Sequence, residues 1–565
     1  MNILAISDSR TDSGITYYKN GQLILALNEE RLTRKKTLGG FPEKCINYFL
    51  ERFSDDVSKI DLIIISGKLT PFPIMRLFDL YRRYDFRLSK SYSFIDRLSD
   101  FIEYKLNLNT FVDPEGKLSE SILSFEKLFL SFKLPSKLKK IPIKFVDHHL
   151  CHISSAYYTS NYDEALVVSF DGMGDNSSGK IYSGRNGKLK KVHQYDAYDS
   201  FGLFYSLVTV FLGYKEHKHE GKITGLAAYG DPNNVDVDFP FEFTEHMDLK
   251  YNWHQGIRGL KDLEKHLSSY SKEDISAWLQ DNTEKYICKI ISHFLRETGH
   301  SNVCLSGGVF ANVKLNQRIH ELNEVEGVFI YPAMGDVGLS HGAILFEGKE
   351  MNRLNHVFYG PSYGGFEIKK ELEKRNLSYK KYSNVEKEIA NLLSKGNIVA
   401  RYNGAMEYGP RALGNRSILV QATDQSINNS LNEKLDRTEF MPFAPTILKE
   451  YSEECIKNLE GAEFTSKFMN ISFDVTDYMK ETCPAAVHID GTARPQILSK
   501  EDNPSFYKIL NEYYKITGIP ALINTSFNTH GEPIVNTPSE AVDAFENAKL
   551  DYLAIGDFII KKNQI

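Results

Sequence analysis

The sequence predicts an α/β protein of two domains, in which helices alternate with short apolar strands. Short apolar runs such as 61–66 and 302–306 are each followed, further along, by segments with helical spacing. Glycine-containing turns follow several of these strands, as they do at the ligand-binding edge of α/β sheets. A second α/β pattern begins near the glycine-rich turn at 360–365. We therefore place the domain boundary between residues 354 and 355.

The composition is that of an ordinary soluble protein, with 42% hydrophobic and 25% charged residues among 565. The formal net charge of −6 argues against bulk nucleic-acid binding. No apolar run reaches the roughly 18–20 residues of a membrane helix, and the first residues do not resemble a secretory signal. The six cysteines lack a metal-binding spacing. We expect a cytoplasmic protein that binds neither nucleic acid nor membranes.

The N-terminal residues are predicted to begin a sheet, since apolar segments flank an Asn-Gly hairpin turn. The charged run 28–36 that follows is typical of a solvent-exposed helix face. Residues 70 to about 140 have helical periodicity and form a predicted insertion, which could be a lid, a wall of an acceptor site or a contact in a homodimer. Residues 231–275 are polar and predicted to be irregular. Three strands, a helix and a further strand are predicted at Asn2–Ser7, Ser13–Lys19, Gln22–Leu27, Pro42–Phe53 and Asp61–Ser66.

A histidine-rich segment lies between a predicted strand and a predicted helix. His148 and His152 are four residues apart, so on a helix they project from one face and can hold one divalent metal. Asp171 and Asp336 each follow a predicted strand in a glycine-containing turn. Ligands gather at the carboxyl ends of strands in α/β sheets, so these four side chains could meet there. The alternative is a capped helix with surface histidines.

A Gly-Gly turn at 307–308 lies between a strand and a helix start, where backbone N–H groups can bind an anion or a nucleotide. Many α/β turns contain this dipeptide, so the turn alone does not identify a ligand.

The second predicted domain has an unusual number of arginines at turns. Guanidinium groups suit phosphate and carboxylate ligands. Asn524 begins a cluster of amides and hydroxyls after a strand, which also suits an oxyanion. The alternative is structural, with the arginines tying loops together through carbonyls and acids. The arginines are Arg401, Arg411, Arg416, Arg437 and Arg494.

These motifs together resemble those of the NodU/CmcH-type carbamoyltransferase family. Their common order along the chain is far more specific than any one of them. The matching segments are Asn28–Lys36, Asp147–His152, Ser169–Asp175, Glu220–Gly225, Ser306–Asn312, Met334–Gly338, Glu407–Ser417, Pro442–Pro445, Gly491–Arg494 and Asn524–Asn528.

The resemblance implies a fold for each domain. Residues 1–354 would form an actin-like ATPase domain of the ASKHA type with helical insertions. Residues 355–565 would form a twisted α/β domain similar to threonylcarbamoyl-adenylate synthase (YrdC-like). The resemblance also implies that the second domain makes carbamoyl adenylate from carbamoyl phosphate and ATP. The first domain would then transfer the carbamoyl group to a hydroxyl of a small molecule in natural product biosynthesis.

The resemblance further implies roles for individual residues. Metal ligands for Fe²⁺, or another divalent metal, would be His148, His152, Asp171 and Asp336, and ATP would enter with Mg²⁺. Nucleotide-binding residues would be Lys222, Gly307, Gly308, Asn312 and Asp171. Carbamoyl phosphate would be bound by Arg416, Arg437, Arg494 and Asn524. Catalytic residues would be Asp12, Lys36, His148 and Asp336.

Two positions depart from the family pattern. Thr11 stands where the family usually has a histidine, so Asp12 or a metal-bound water is expected to act as the base. Met441 stands where the family usually has an arginine. These replacements motivate an alternative function, a nucleotide-binding regulatory or partner ATPase that has lost carbamoyl transfer.

Overall fold

The computed structural model describes residues 1–70, 76, 117–349, 351–435, 443–529 and 531–562. The chain forms two compact units, one comprising Met1–Thr33 and Thr37–Leu354 and the other Arg34–Lys36 and Asn355–Ile565. Both units mix helices with sheets, which confirms the predicted α/β class. Among the described residues, no helix has the length and apolar character needed to cross a membrane.

The first unit contains two five-stranded sheets with the same strand order. The first sheet has the order β3-β2-β1-β4-β5, in which three antiparallel strands are followed by two parallel ones. The second has the order β8-β7-β6-β11-β12 and the same directions. The strands are β1 Ile3–Asp8, β2 Ser13–Lys19, β3 Gln22–Asn28, β4 Leu62–Ser66, β5 Ile143–Val146, β6 Glu164–Gly174, β7 Ser177–Arg185, β8 Lys188–Asp196, β9 Phe241–Phe243, β10 Leu249–Tyr251, β11 Asn302–Ser306 and β12 Gly327–Ile330.

The helices of the first unit mostly follow the predicted positions. The described part of the predicted insertion contains α3, while residues 71–75 and 77–116 lie outside the described residues. Residues 231–275 are not irregular as predicted, because they contain β9, β10 and α7. The helices are α1 Glu29–Thr33, α2 Glu43–Arg52, α3 Lys117–Lys133, α4 His148–Thr159, α5 Phe201–Phe211, α6 Glu220–Leu226, α7 Gly256–Leu267, α8 Lys272–Thr298, α9 Val313–His320 and α10 Leu339–Gly348.

The charged run after β3 is not the exposed helix face that its composition predicts. Glu29 is 0% exposed and Arg31 is 4% exposed. The Glu29 carboxylate accepts hydrogen bonds from the backbone N–H groups of Lys44 and Cys45, at 3.1 and 2.9 Å. These N–H groups belong to the first turn of α2, where unpaired donors favour an anion. Glu29 therefore stabilises the start of a helix that follows it in the chain.

The second unit is built on an eight-stranded mixed sheet of order β13-β22-β21-β14-β15-β20-β16-β19. Its apolar core packs α12 and α16 against this sheet through residues such as Leu393, Leu419 and Phe506. The strands are β13 Lys380–Lys381, β14 Val399–Tyr402, β15 Arg416–Val420, β16 Pro445–Leu448, β17 Phe473–Asp474, β18 Thr492–Ala493, β19 Gln496–Leu498, β20 Ala521–Ser526, β21 Tyr552–Ile555 and β22 Phe558–Lys561. The helices are α11 Gly365–Lys374, α12 Val385–Ser394, α13 Ser426–Lys434, α14 Ser452–Cys455, α15 Asp477–Thr482, α16 Pro504–Thr517 and α17 Pro538–Asn547.

Candidate metal centre and anion site

The first unit brings together the two histidines and two aspartates that the sequence singles out. One ligand atom from each of the four lies within 4.8 Å of the others. His148 and His152 are one turn apart on α4, whose start is capped by the Asp147 carboxylate accepting from the Leu150 N–H. Asp171 lies in β6, and Asp336 begins a short 3₁₀ turn shortly after β12. The four side chains thus come from three separate segments.

The distances within the cluster leave one carboxylate oxygen without a hydrogen bond. Oδ2 of Asp171 lies 3.0 Å from Nε2 of His148 and 3.2 Å from Nε2 of His152. Oδ1 of Asp336 lies 3.6 Å from both of these nitrogens and is buried without a hydrogen-bond partner. Two imidazoles and two carboxylates form a donor set that suits a divalent transition metal. The unpaired Asp336 oxygen and this donor set together fit a bound cation.

The electrostatics of the cluster also favour a positive charge. Burial alone would lower the pKa of His148, but the carboxylates of Asp336 and Asp171 raise it to about 9. Burial would raise the pKa of Asp171, but hydrogen bonds from His148 and His152 hold it well below its usual value. The carboxylates therefore hold a proton on His148, which a metal ion would displace on binding.

Outer contacts fix the ligands in place. The His148 backbone N–H donates to the Asp175 carboxylate at 2.7 Å, and Nδ1 of His152 lies 3.2 Å from the Ser306 hydroxyl. The first of these partners, Asp175, also accepts from the backbone N–H groups of residues 68–70. A Cβ atom at Gly174 would lie 2.2 Å from the His148 ring, so glycine is needed there. Such contacts set the orientation of metal ligands.

The Gly-Gly turn lies against the same carboxylate. Oδ1 of Asp171 accepts from the Gly308 N–H at 3.2 Å, while Oδ2 faces the histidines. Gly307 has a φ of 104°, and a Cβ there would lie 2.1 Å from the Phe170 carbonyl oxygen. The turn needs glycine at 307 because a side chain has no room there.

The other predicted nucleotide residues have different surroundings. Asn312 caps α9 by accepting from the Leu315 N–H, and its Nδ2 donates to Oε1 of Gln280 at 2.8 Å. Lys222 lies in α6 and is 9% exposed. Asn312 therefore supports the start of a helix and contacts a partner on α8.

The predicted catalytic residues Asp12 and Lys36 fall in different units. Asp12 is half-buried in the first unit, where burial and the charges of Glu30 and Asp336 raise its pKa to about 8. This influence of Asp336 puts Asp12 within electrostatic reach of the four-residue cluster. Lys36 is exposed and belongs to the second unit.

The second unit holds two half-buried arginines, Arg411 and Arg494, which are near enough for the charge of one to influence the pKa of the other. Burial lowers the pKa of Arg411 to about 10. Burial and the neighbouring charge of Arg411 lower the pKa of Arg494 well below its usual value. Nε of Arg411 is buried without a hydrogen-bond partner, and no carboxylate of the described residues pairs with either guanidinium. Two half-buried cations that have no carboxylate partner among the described residues favour a bound anion.

The predicted carbamoyl phosphate residues are distributed unevenly around this pair. Arg494 belongs to the pair. Asn524 donates hydrogen bonds to Ala412, which follows Arg411 in the chain, and to Gln496, which lies two residues after Arg494. Arg416 is 0% exposed and stacks on Tyr402, with its terminal nitrogens donating to loop carbonyls. Arg437 lies outside the described residues.

Two residues with a role at these sites were not among the predicted site residues. The sequence places Arg411 among the arginines at turns. Its spacing from Arg416 does not show which of the two guanidiniums is engaged by loop carbonyls and which is not. Asp175 ends the Asp-Gly-Met-Gly-Asp motif, whose second aspartate could have been recognised as a support for the first.

Comparison with known proteins identifies matches over most of the chain. A family model described as the carbamoyltransferase N-terminus matches residues 2–345, and one described as the carbamoyltransferase C-terminus matches residues 390–562. An uncharacterized protein of Methanocaldococcus jannaschii is 31% identical over 100% of both chains. Nodulation protein NolNO of Sinorhizobium fredii is 31% identical, over 98% of this chain and 79% of that protein.

HypF is among the proteins of known structure that this chain matches. The crystal structure of HypF from T. kodakarensis is 15% identical and matches 62% of this chain and 48% of that one, with a TM-score of 0.34. A score this low supports no argument about the fold.

Proposed function

Since this chain belongs to the carbamoyltransferase family, we propose that it uses carbamoyl phosphate and ATP to form carbamoyl adenylate. It then transfers the carbamoyl group to a hydroxyl of a small specialised metabolite. The observation that carries the proposal is the presence of two chemically opposite sites. One unit holds a ligand set for a cation, and the other holds two arginines that pair with no carboxylate among the described residues. A two-step reaction with two anionic substrates and a metal needs both.

We assign the first unit to the actin-like ATPase type and the second to the YrdC-like type. The repeated strand order of the two sheets in the first unit supports the first assignment, since such ATPases are built from a duplicated sheet. The eight-stranded mixed sheet is compatible with the second assignment.

In the second unit, the arginine pair binds the phosphate of carbamoyl phosphate. Arg411 and Arg494 lack a carboxylate partner among the described residues, so a phosphate dianion would neutralise both charges. Carbamoyl phosphate, ATP and water then give carbamoyl adenylate, phosphate and pyrophosphate. Water first cleaves carbamoyl phosphate into carbamate and phosphate. A carbamate oxygen then bonds to the α-phosphorus of ATP, the bond from that phosphorus to the β-phosphate oxygen breaks, and pyrophosphate leaves.

In the first unit, His148, His152, Asp171 and Asp336 hold the divalent metal. Fe²⁺ fits this donor set, and the bound ion would supply Lewis acidity at the nucleotide phosphate. The Gly307–Gly308 turn offers backbone N–H groups to the nucleotide.

Asp12 takes the proton of the acceptor hydroxyl. Its raised pKa makes it a stronger base than an exposed aspartate once it is ionised. The hydroxyl oxygen then bonds to the carbamoyl carbon, the bond from that carbon to the AMP oxygen breaks, and AMP leaves.

The proposal is tested by incubating the purified full-length protein with ¹⁴C-carbamoyl phosphate, ATP, Mg²⁺ and Fe²⁺. We expect labelled carbamoyl adenylate, together with pyrophosphate release that depends on carbamoyl phosphate. ATP hydrolysis that proceeds equally without carbamoyl phosphate would instead support the regulatory ATPase alternative. The acceptor can be sought by mass spectrometry among candidate metabolites, since carbamoylation adds about 43 Da for HNCO.

A further inference from the structure

Asp175 joins one ligand of the metal centre to the loop that follows β4. Its buried carboxylate accepts a hydrogen bond from the His148 backbone N–H at 2.7 Å. The same carboxylate accepts from the backbone N–H groups of residues 68–70, at 2.7–2.9 Å. The Thr70 hydroxyl in turn accepts from the Asp175 N–H at 2.8 Å. The backbone of His148 and the loop after β4 are therefore held by one carboxylate.

Arg76 binds the carbonyl groups of this loop. Its Nη2 donates to the carbonyl oxygens of Gly67 and Thr70, at 3.2 and 3.3 Å. Gly67 has a φ of 85°, and a Cβ atom there would lie 2.0 Å from the Thr70 carbonyl oxygen, so the loop is tightly turned. A buried guanidinium thus holds the acceptors of a turn whose donors are held by a buried carboxylate.

The Arg76 guanidinium also binds two acidic residues from other segments. It donates to both carboxylate oxygens of Asp8, the last residue of β1, at 2.8 and 3.1 Å. It donates to Oε2 of Glu126 in α3 at 2.8 Å, and Lys133 at the end of α3 donates to the Arg76 backbone carbonyl. The side chains of Arg76, Asp8 and Glu126 are each 3% exposed, so these ion pairs are shielded from water. Charge-assisted bonds of this kind fix geometry as well as energy.

Resting on the metal centre of the proposed function, we infer that Arg76 is a positioning residue for that centre and that Glu126 makes α3 part of its support. The contacts run from Glu126 through Arg76 to the loop after β4, and from this loop through Asp175 to His148. The predicted insertion thus acts on the metal centre, although none of its described residues belongs to the four-residue cluster. Loss of such outer contacts typically costs ~10- to 100-fold in metal affinity or activity.

Titration of the full-length protein with Co²⁺ tests the inference without an acceptor or a nucleotide, because the visible absorption of bound Co²⁺ reports the geometry of its ligands. Burial raises the pKa of Glu126 to about 7, against the opposing charge of Arg76, so the titration is run at about pH 8, where Glu126 is ionised. The variant Arg76→Lys keeps the positive charge but loses the planar fork. We expect Co²⁺ to bind ~10-fold more weakly than to the wild type, with a changed absorption spectrum.

The outcomes separate the inference from the proposed function. An unchanged Co²⁺ affinity and spectrum in Arg76→Lys would overturn the inference, even if its thermal stability falls, and would indicate a purely structural role. Failure of the wild-type protein to bind Co²⁺ would overturn the metal centre of the proposed function and the inference with it.

The variant Glu126→Gln tests the contribution of α3, since it keeps the shape of the side chain but removes its charge. We expect Co²⁺ to bind ~3- to 10-fold more weakly, because a charge-assisted hydrogen bond becomes a neutral one. If both residues act through the same contacts, the double variant Arg76→Lys/Glu126→Gln should bind Co²⁺ about as weakly as Arg76→Lys alone. Losses that multiply in the double variant would show that Glu126 acts independently of Arg76 and would overturn the inference.

The matched control is Lys19→Met, which removes an ion pair from the same sheet. Lys19 pairs with Asp56 at 2.8 Å and is the last residue of β2, whose first residue, Ser13, pairs with Asp8. The lost ion pair therefore lies at the opposite end of the strand from Asp8. This control should bind Co²⁺ as the wild type does. An equal loss of affinity in the control would show that any ion pair of this sheet has the same effect, which would contradict a specific role of Arg76.

Discussion

The site of the first unit is rich in carboxylates, and the site of the second unit contains two arginines. The two sites differ in how far other groups of the protein balance this charge. In the first unit, the carboxylates raise the pKa of His148 to about 9. His148 is therefore protonated, and its positive charge partly balances the carboxylates. In the second unit, the charge of Arg411 acts against that of Arg494, and within the described part of the chain no carboxylate pairs with either guanidinium. Guanidinium groups do not lose their protons near neutral pH. The arginine pair therefore depends on a bound anion more strongly than the histidine cluster depends on a metal.

The largest effect is expected from removing the metal ligands. The double variant His148→Ala/His152→Ala should lose divalent metal binding and carbamoyl transfer, because two carboxylates alone do not hold a transition metal tightly. Carbamoyl adenylate formation should persist. Metal content by elemental analysis after dialysis, with adenylate and carbamoylated product measured separately, checks both statements. The control His293→Ala changes a half-exposed histidine of α8 and should keep metal and transfer. Loss of both activities in the double variant would contradict the separation of the two sites.

Asp12→Asn should have the next largest effect, on the transfer step. A general base typically contributes ~10²- to 10⁴-fold, so we expect kcat for transfer to fall by about that range. The pKa of Asp12 is about 8 without a metal, and a neighbouring cation lowers it. Because the carboxylate accepts a proton only when ionised, wild-type transfer should rise with pH up to a plateau at or below about pH 8.

The pH profile distinguishes a base from a structural residue. Asp12→Asn should lack the acidic limb, and Asp12→Glu should recover part of it. An unchanged profile in Asp12→Asn would exclude Asp12 as the base.

The contrast between the sites also explains what could be predicted from the sequence. The spacing of His148 and His152 fixes their common face on a helix, while Asp171 lies towards the end of β6 and Asp336 follows β12 of the same sheet. The position of the four-residue cluster thus follows from the geometry of helices and strands, and these elements can be recognised from local sequence patterns. Several strands and helices were predicted for the same reason, since they depend on apolar periodicity.

The irregular loops were not predictable in the same way. Arg411 lies in the loop that leads into β15, and Arg416 is the first residue of that strand. The end of this loop is held by Glu407, whose Oε1 accepts from the backbone N–H groups of Leu413, Asn415 and Arg416. Next to this buried carboxylate, the Arg416 guanidinium donates to carbonyl oxygens, whereas Nε of Arg411 is buried without a hydrogen-bond partner. Glu29 is a second example, because a helix begun by later residues buries it. Such contacts between distant residues leave no periodic signal.

Arg494→Met tests whether the arginine pair of the second unit binds carbamoyl phosphate. Removing one of two guanidiniums that bind a phosphate should raise the concentration of carbamoyl phosphate needed for half-maximal adenylate formation by ~30- to 100-fold. Metal binding should be unchanged. The matched control is Arg375→Met, since Arg375 already pairs with Glu371 and Asp543 and should not serve an anion. An unchanged carbamoyl phosphate requirement in Arg494→Met would remove Arg494 from the site.

The smallest expected effect concerns stability and tests the electrostatic contrast directly. Arg411→Met should raise the free energy of unfolding of the ligand-free protein by about 1 kcal/mol, because it replaces an unpaired, desolvated charge with an apolar side chain and relieves the repulsion on Arg494. Thermal unfolding measures the effect, first without phosphate and then with inorganic phosphate at about 10 mM, roughly the concentration of an assay buffer. Phosphate should stabilise the wild-type protein and have little effect on the variant, since stabilisation by a ligand follows its binding.

The corresponding change in the first unit, Asp336→Asn, should instead leave the ligand-free protein near its original stability, because His148 can release its proton in compensation. If Arg411→Met is less stable than the wild type in the absence of phosphate, the arginine pair is not an unbalanced site.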